Sequence, residues 1–185
     1  ALSLGGTVAG GGARVLIGSA LTLTAGGNVG VELAITGGTI TVEGTSTIGD
    51  TTNATTVNVN NGTLTLGGAG AIANTATVTV AGPGGLTLST AKTIGSLDLA
   101  GTLGGATNTL TATNGATLRD GAVVDTPLAG GALTVLAGAA GTATLSRAST
   151  ATAVDVDTGA LVIAAGGSLA DGATVGVDAG ATLEV

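Results

Sequence analysis

The sequence contains no Phe, Tyr, Trp, His, Cys or Met. Aromatic rings fill much of an ordinary core, since each buries about 150–250 Å². Without them the interior has to be narrow and filled by Val, Leu, Ile and Ala. Without His or Cys, neither a Ser–His nor a Cys–His nucleophile pair can be assembled, and zinc loses its usual ligands. The missing residues therefore predict a non-enzymatic protein with no catalytic residues, no cofactor and no disulfide.

Charge is also scarce, since charged residues make up 8 % of the chain, against roughly a quarter in ordinary soluble domains. Four cations, Arg14, Lys92, Arg119 and Arg147, oppose 11 acidic residues, and the net charge is −7. Nucleic-acid binding depends on basic clusters that release phosphate counterions, so no nucleic-acid partner is expected. Gly and Thr interrupt the long uncharged stretch 128–145, so a membrane-spanning segment is not expected either.

Glycine is abundant, with 36 residues, and it separates short segments in which apolar residues alternate with Thr, Asn or Asp. Alternation with a period of two predicts strands with one buried and one exposed face, and Thr and Val suit the pleated surface. Asn-Gly and Asp-Gly pairs in the gaps predict turns. The predicted strands cover residues 21–24, 39–42, 56–59, 63–66, 77–80, 86–88, 97–99, 133–135, 154–157 and 182–185.

Strands spaced about every 8–10 residues fit either an antiparallel sandwich or a repeat solenoid. A sandwich core is about 10 Å thick and needs bulky residues, so the composition favours the solenoid. If three faces make a turn of about 20–25 residues, the chain forms about seven to nine turns, and at ~4.8 Å per turn the rod is near 40 Å long. We therefore predict an all-β, single-domain β-solenoid over residues 1–185, of the right-handed parallel β-helix form.

Internal repetition supports this prediction. Residues 116–124 and 167–175 share the frame small, Thr or Ser, Leu, any residue, Asp, Gly, Ala, any residue, Val. Two further stretches, 10–14 and Lys92-Thr93, lack the glycine spacing of phosphate-binding loops and are interpreted as turns.

Residues 61–68 (NGTLTLGG) and 179–185 (AGATLEV) resemble the rungs of bacterial autotransporter passengers and related adhesins. The resemblance rests on G-x-L-x-L patterns and spans most of the chain. It implies a right-handed β-helix and a secreted or cell-surface location in a bacterium. The chain departs from those passengers in lacking the aromatic residues that stack in their interiors.

Asp155 and Asp157 are the strongest candidates for chemistry, because residues two apart on a strand share a face, with roughly 6–7 Å between their Cα atoms. Paired carboxylates serve glycoside hydrolysis, and carboxylate oxygens suit calcium. A solvated strand face explains the pair as well, so they are retained only as calcium candidates.

Six Thr-x-Thr pairs raise a second binding alternative, because ranks of Thr on a flat solenoid face look like ice-binding surfaces. Such a surface requires one pair per turn at constant phase, whereas the intervals here vary. The pairs are at 22/24, 39/41, 45/47, 63/65, 77/79 and 111/113.

Both ends of the sequence read as ordinary rungs, with no capping element. An uncapped rung leaves a row of unpaired backbone groups, so we expect Leu2, Leu4, Leu183 and Val185 to mediate head-to-tail self-association. The function predicted is a secreted or cell-surface structural subunit of a fibre or matrix. The alternatives are a stalk segment of an autotransporter-type adhesin and a solenoid that binds ice, calcium or polysaccharide.

Overall fold

The computed structural model describes residues 2–9, 14–17, 20–29, 32–35, 39–48, 54–67 and 72–185. Within these ranges the regular structure is all β, in parallel sheets stacked as a β-solenoid of about eight turns. Parallel pairing follows from coiling, because the chain passes each face in the same direction once per turn. None of the described residues forms a helix long and apolar enough to cross a membrane.

Two faces of the solenoid are ten-stranded sheets, so eight layers lie between the two end layers. Face 1 consists of Leu2–Leu4, Ala20–Leu23, Thr39–Val42, Thr56–Val59, Thr77–Val80, Ser96–Leu99, Ala116–Arg119, Leu133–Leu136, Ala153–Thr158 and Thr174–Val177. Face 2 consists of Thr7–Val8, Asn28–Val29, Ser46–Ile48, Gly62–Leu66, Gly84–Leu88, Thr102–Gly104, Val123–Asp125, Thr142–Leu145, Ala160–Ile163 and Thr182–Glu184.

A third face completes the cross-section with shorter strands. It contains a two-stranded and a three-stranded sheet, and single bridges extend it from Leu128 to Ser149 and from Ala148 to Ser168. The strands of face 3 are Arg14–Ile17 and Glu32–Ile35 in one sheet, and Lys92–Ile94, Leu110–Ala112 and Leu128–Gly130 in the other.

The register of face 1 gives the length of each turn. Leu2 pairs with Leu21 and Leu21 with Ile40, which makes 19 residues per turn. The shortest step along this face is 17 residues, from Ile40 to Val57, and the longest is 21, from Val57 to Val78. Turns are therefore shorter than the 20–25 residues expected, because the corners use few residues.

The corners are tight β-turns closed by one backbone hydrogen bond. At the corner between faces 1 and 2, the Ala122 amide donates to the Arg119 carbonyl at 3.1 Å. Gly121, the third residue of this turn, has φ = 78°. A type II turn needs that left-handed conformation at its third position, and glycine adopts it without strain. The Asp-Gly pairs predicted as turns thus occupy corners.

Two interior columns run along face 1 through every layer, and we name them the Leu2 column and the Leu4 column. Their members between the end layers are buried and are all Val, Leu, Ile or Ala, as the missing aromatic residues predicted. The Leu2 column is Leu2, Leu21, Ile40, Val57, Val78, Leu97, Ala116, Leu133, Val154 and Val175; the Leu4 column is Leu4, Leu23, Val42, Val59, Val80, Leu99, Leu118, Val135, Val156 and Val177.

The alternating segments predicted as strands are strands, and the all-β solenoid with its number of turns is confirmed. Lys92-Thr93 was wrongly interpreted as a turn, since it begins a strand of face 3; of stretch 10–14, residues 10–13 lie outside the described residues. The frame shared by residues 116–124 and 167–175 is a corner motif rather than a turn of the solenoid. Its first copy passes from face 1 to face 2, and its second from face 3 to face 1.

Candidate functional site

The outer surface of face 1 carries one polar column in register along the solenoid. Its side chains are mostly hydroxyls, as expected for the exposed positions of strands rich in Thr. This outer column is Ser3, Thr22, Thr41, Asn58, Thr79, Asp98, Thr117, Thr134, Asp155 and Gly176.

A second hydroxyl column beside it is short, which bears on the ice-binding alternative. Thr39, Thr56, Thr77 and Ser96 are in register, but the column does not continue with hydroxyl residues beyond Ser96. The six Thr-x-Thr pairs do not lie on one face. For example, 63/65 lies on face 2, and Thr111 lies on face 3. A continuous two-column Thr surface is therefore not formed by the described residues.

Polar side chains join successive turns at the corners. The Arg119 guanidinium binds the Asp98 carboxylate through two hydrogen bonds, of 2.6 and 2.7 Å, across one turn. This pairing raises the pKa of Arg119. Arg147 donates to Asp125 at 3.1 Å, again one turn away. These two cations, which the sequence presents as isolated, are paired between layers.

Lys92 differs from them because its side chain is turned inward at the start of a face 3 strand, with 9 % of its surface exposed. Its Nζ donates to the Gly67 carbonyl at 3.3 Å. Burial of the amine lowers the pKa of Lys92, since removal from water disfavours the charged form.

Asp155 and Asp157 lie together next to the last layer of face 1. Val135 pairs with Val156 but Leu136 pairs with Thr158, so Asp157 is the extra residue of a β-bulge. A bulge re-aims the side chain that it inserts. The pKa of Asp157 is raised by partial burial, by the negative charges of Asp155 and Asp178, and by a hydrogen bond with Asp155.

The two calcium candidates are therefore brought into contact. Among the described residues, no three or more His, Cys, Asp or Glu side chains converge in a way that could hold a metal ion. Calcium binding by Asp155 and Asp157 remains a prediction.

A pocket lies at the junction of faces 3 and 1, beside Ala112, Ala116, Leu128 and Ala151. Its volume is about 160 Å³, whereas pockets for small molecules are typically about 300–1,000 Å³. Its lining is apolar, which provides no group to orient a polar substrate.

The C-terminal end of face 1 exposes the interior of the solenoid. Thr174–Val177 pairs with Ala153–Thr158 on one side, and no described strand pairs with its other edge. Val175 is 39 % exposed and Val177 45 %, although the residues below them in the two columns are buried. On face 2, Leu183 packs partly buried against the core, and Val185 is fully exposed.

The N-terminal end presents the same two columns. Leu2 is 42 % exposed and Leu4 is partly buried against the core. The strand Leu2–Leu4 pairs with Ala20–Leu23, and no described strand covers its other edge. Each end of face 1 thus offers a free strand edge with apolar side chains at two fixed positions.

The two ends match in phase, because Leu2 and Val175 are the first and last members of one column, and Leu4 and Val177 of the other. A layer placed on the C-terminal edge in the register of the solenoid puts one apolar side chain over Val175 and the next over Val177. Side-chain spacing in such a stack is set by the strand separation of about 4.8 Å.

The sequence analysis named Leu2, Leu4, Leu183 and Val185 but missed Val175 and Val177, which carry the larger apolar surface on face 1. The alternation at Val175-Gly176-Val177 following Asp171-Gly172 was the available signal. It was missed because only the last segment was treated as the end of the rod, although one layer contains a strand from each face.

The chain matches no protein-family model, no curated protein and no solved structure.

Proposed function

We propose that this chain is a non-enzymatic extracellular structural protein, a β-solenoid subunit of a cell-surface fibre or matrix that stacks end to end. The observation that carries the proposal is the matching pair of open ends on face 1. Leu2 and Leu4 at one end lie in phase with Val175 and Val177 at the other.

Stacking in this register extends the parallel sheet from one copy into the next. It pairs backbone donors and acceptors along the free edges and removes four partly exposed apolar side chains from water. The two surfaces differ, so the contact is heterologous. A heterologous contact that does not close into a ring produces an open filament.

The composition supports an extracellular role. The chain has no Cys or Met, so side chains that oxidise most readily are missing. Its resemblance to the G-x-L-x-L rungs of autotransporter passengers supports a bacterial surface location. A stalk segment of an autotransporter-type adhesin is the alternative, in which further turns of one long chain cover the same ends.

Electron microscopy and analytical ultracentrifugation of the purified chain test the proposal. We expect filaments that grow along the solenoid axis, with weak dependence on salt because few charges are available to screen. Leu2→Lys with Leu4→Lys should abolish growth, whereas Ser3→Lys, on the outer surface of the same strand, should permit it.

A unmodified chain that stays monomeric at high concentration contradicts the fibre proposal and favours the stalk. Antibody labelling of intact cells tests the location separately. Labelling only after the cells are opened contradicts an extracellular role, whatever the state of assembly.

A further inference from the structure

Asparagine precedes glycine twice in this chain, at Asn61-Gly62 and at Asn114-Gly115. In such a pair the backbone nitrogen of the glycine can attack the side-chain carbonyl carbon of the asparagine. Glycine favours the reaction because it has no Cβ to hinder the approach and its backbone adopts many conformations. Both pairs lie at corners, and both asparagines are exposed, but the glycine amides are held differently.

At the first corner, the Gly62 amide donates a hydrogen bond to Oδ1 of Asn61 itself, at 2.9 Å. This contact holds the side-chain carboxamide against the nitrogen that would attack it. The Asn61 amide donates separately to the Val42 carbonyl at 3.2 Å, which anchors the backbone on the other side of the reacting side chain.

At the second corner, the Gly115 amide donates to the Ala112 carbonyl at 3.1 Å and closes a β-turn. The Ala112 carbonyl also accepts the Gly131 amide of the next turn, at 3.0 Å. The nitrogen of Gly115 is thus committed to a backbone acceptor within the stack. To attack Asn114 it must first lose that hydrogen bond.

We propose that Asn61 is a site of spontaneous deamidation in the folded protein and that the fold protects Asn114. The Gly62 nitrogen loses its proton to water and forms a bond to Cγ of Asn61. The bond between Cγ and Nδ2 then breaks, and Nδ2 leaves as ammonia. Water opens the resulting five-membered imide at either carbonyl, giving aspartate or isoaspartate. One water is consumed and one ammonia is released, with no oxidant or enzyme.

The product changes the contact between two turns. It adds a carboxylate to a corner where Asn60 Nδ2 already donates to Glu43 at 2.7 Å, so like charges meet. Isoaspartate also lengthens the backbone by one carbon. The corner has little room for this, because a Cβ added at Gly62 would lie 2.5 Å from the carbonyl carbon of Gly44. Deamidation at Asn61 should therefore loosen the stacking of Gly62–Leu66 on Ser46–Ile48.

Incubating the full chain at physiological temperature and neutral pH tests the proposal. Aspartate and isoaspartate are measured at each site by fragmentation mass spectrometry, with the chain in urea as the control for intrinsic reactivity. We expect Asn61 to react about fivefold or more faster than Asn114 when folded, the factor that one net backbone hydrogen bond provides. In urea the two rates should be nearly equal.

Two variants make the assignment specific. Asn61→Gln should remove most product from the folded chain, whereas Asn114→Gln should leave the product yield nearly unchanged. Equal rates at the two sites in the folded protein would overturn the proposal. Absence of product at Asn61 over a period in which it forms in urea would overturn it as well.

Discussion

Replacing Val78 by Asp tests the assignment of the interior in the middle of the solenoid. Val78 is fully buried in the Leu2 column, between Val57 and Leu97 of the neighbouring turns. Its neighbour Thr77 is exposed on the same strand, so Thr77→Asp introduces the same charge on the opposite side. The comparison separates burial of the carboxylate from any effect of Asp on strand propensity.

The expected loss follows from the chemistry of a buried carboxyl group. Holding it protonated at neutral pH costs about 4 kcal/mol, because its ordinary pKa of about 3.9 lies roughly three units lower. Losing the burial of Val adds about 2 kcal/mol. A total of about 6 kcal/mol is comparable with the stability of an entire domain. Since each turn contacts mainly its neighbours, the turns around position 78 should unfold first.

Urea unfolding followed by far-ultraviolet circular dichroism measures the effect, since the chain has no Trp or Tyr for fluorescence. We expect Val78→Asp to unfold at much lower urea than the parent, and Thr77→Asp to lie within about 0.5 kcal/mol of it. The defect should shrink in acid, because the folded pKa of the new carboxyl is raised and stability is lost as pH rises through it. Equal stability of the two variants would refute the assigned register.

Two further predictions concern the perturbed groups. The raised pKa of Asp157 means that the folded state holds more protons than the unfolded chain just above pH 3.8, so stability should fall as pH rises through that window. Asp155→Asn with Asp157→Asn should remove this dependence in thermal melts and leave the fold intact; a calcium-dependent melting temperature that the double variant abolishes would instead support the metal site. The lowered pKa of Lys92 means that the unfolded chain holds more protons below pH 10.5, so stability should rise with pH towards that value. Lys92→Met should flatten this rise and lie within about 1 kcal/mol of the parent at neutral pH, because an apolar residue of similar length often replaces a buried charge without loss; a steep rise retained by the variant would show that another group causes it.

The fold was predictable because its main strands alternate strictly. Residues 39–42 and 77–80 each place Val or Ile inward and Thr outward, and period two decides both the strand and its buried side. Face 3 was less predictable. Its strands Lys92–Ile94 and Leu128–Gly130 have only three residues, too few to show a period, and one of them begins with an inward-facing cation.

The features of the candidate site depend on which turns become neighbours, and a local pattern does not contain this information. The bulge at Asp157 is defined only by its pairing with Val135 and Leu136 on the preceding turn. The exposure of Val175 and Val177 depends likewise on the last layer containing strands from both long faces. The length of a turn was overestimated because the four-residue corners are more economical than the loops assumed.

Mixing two blocked variants tests head-to-tail stacking most directly. One variant, Leu2→Lys with Leu4→Lys, keeps only its C-terminal edge open; the other, Val175→Lys with Val177→Lys, keeps only its N-terminal edge open. Sedimentation should show filaments for the unmodified chain, monomers for each variant alone, and dimers that do not grow further for the equimolar mixture. A monomeric unmodified chain, or a mixture that stays monomeric while the unmodified chain assembles, would contradict stacking through these two edges.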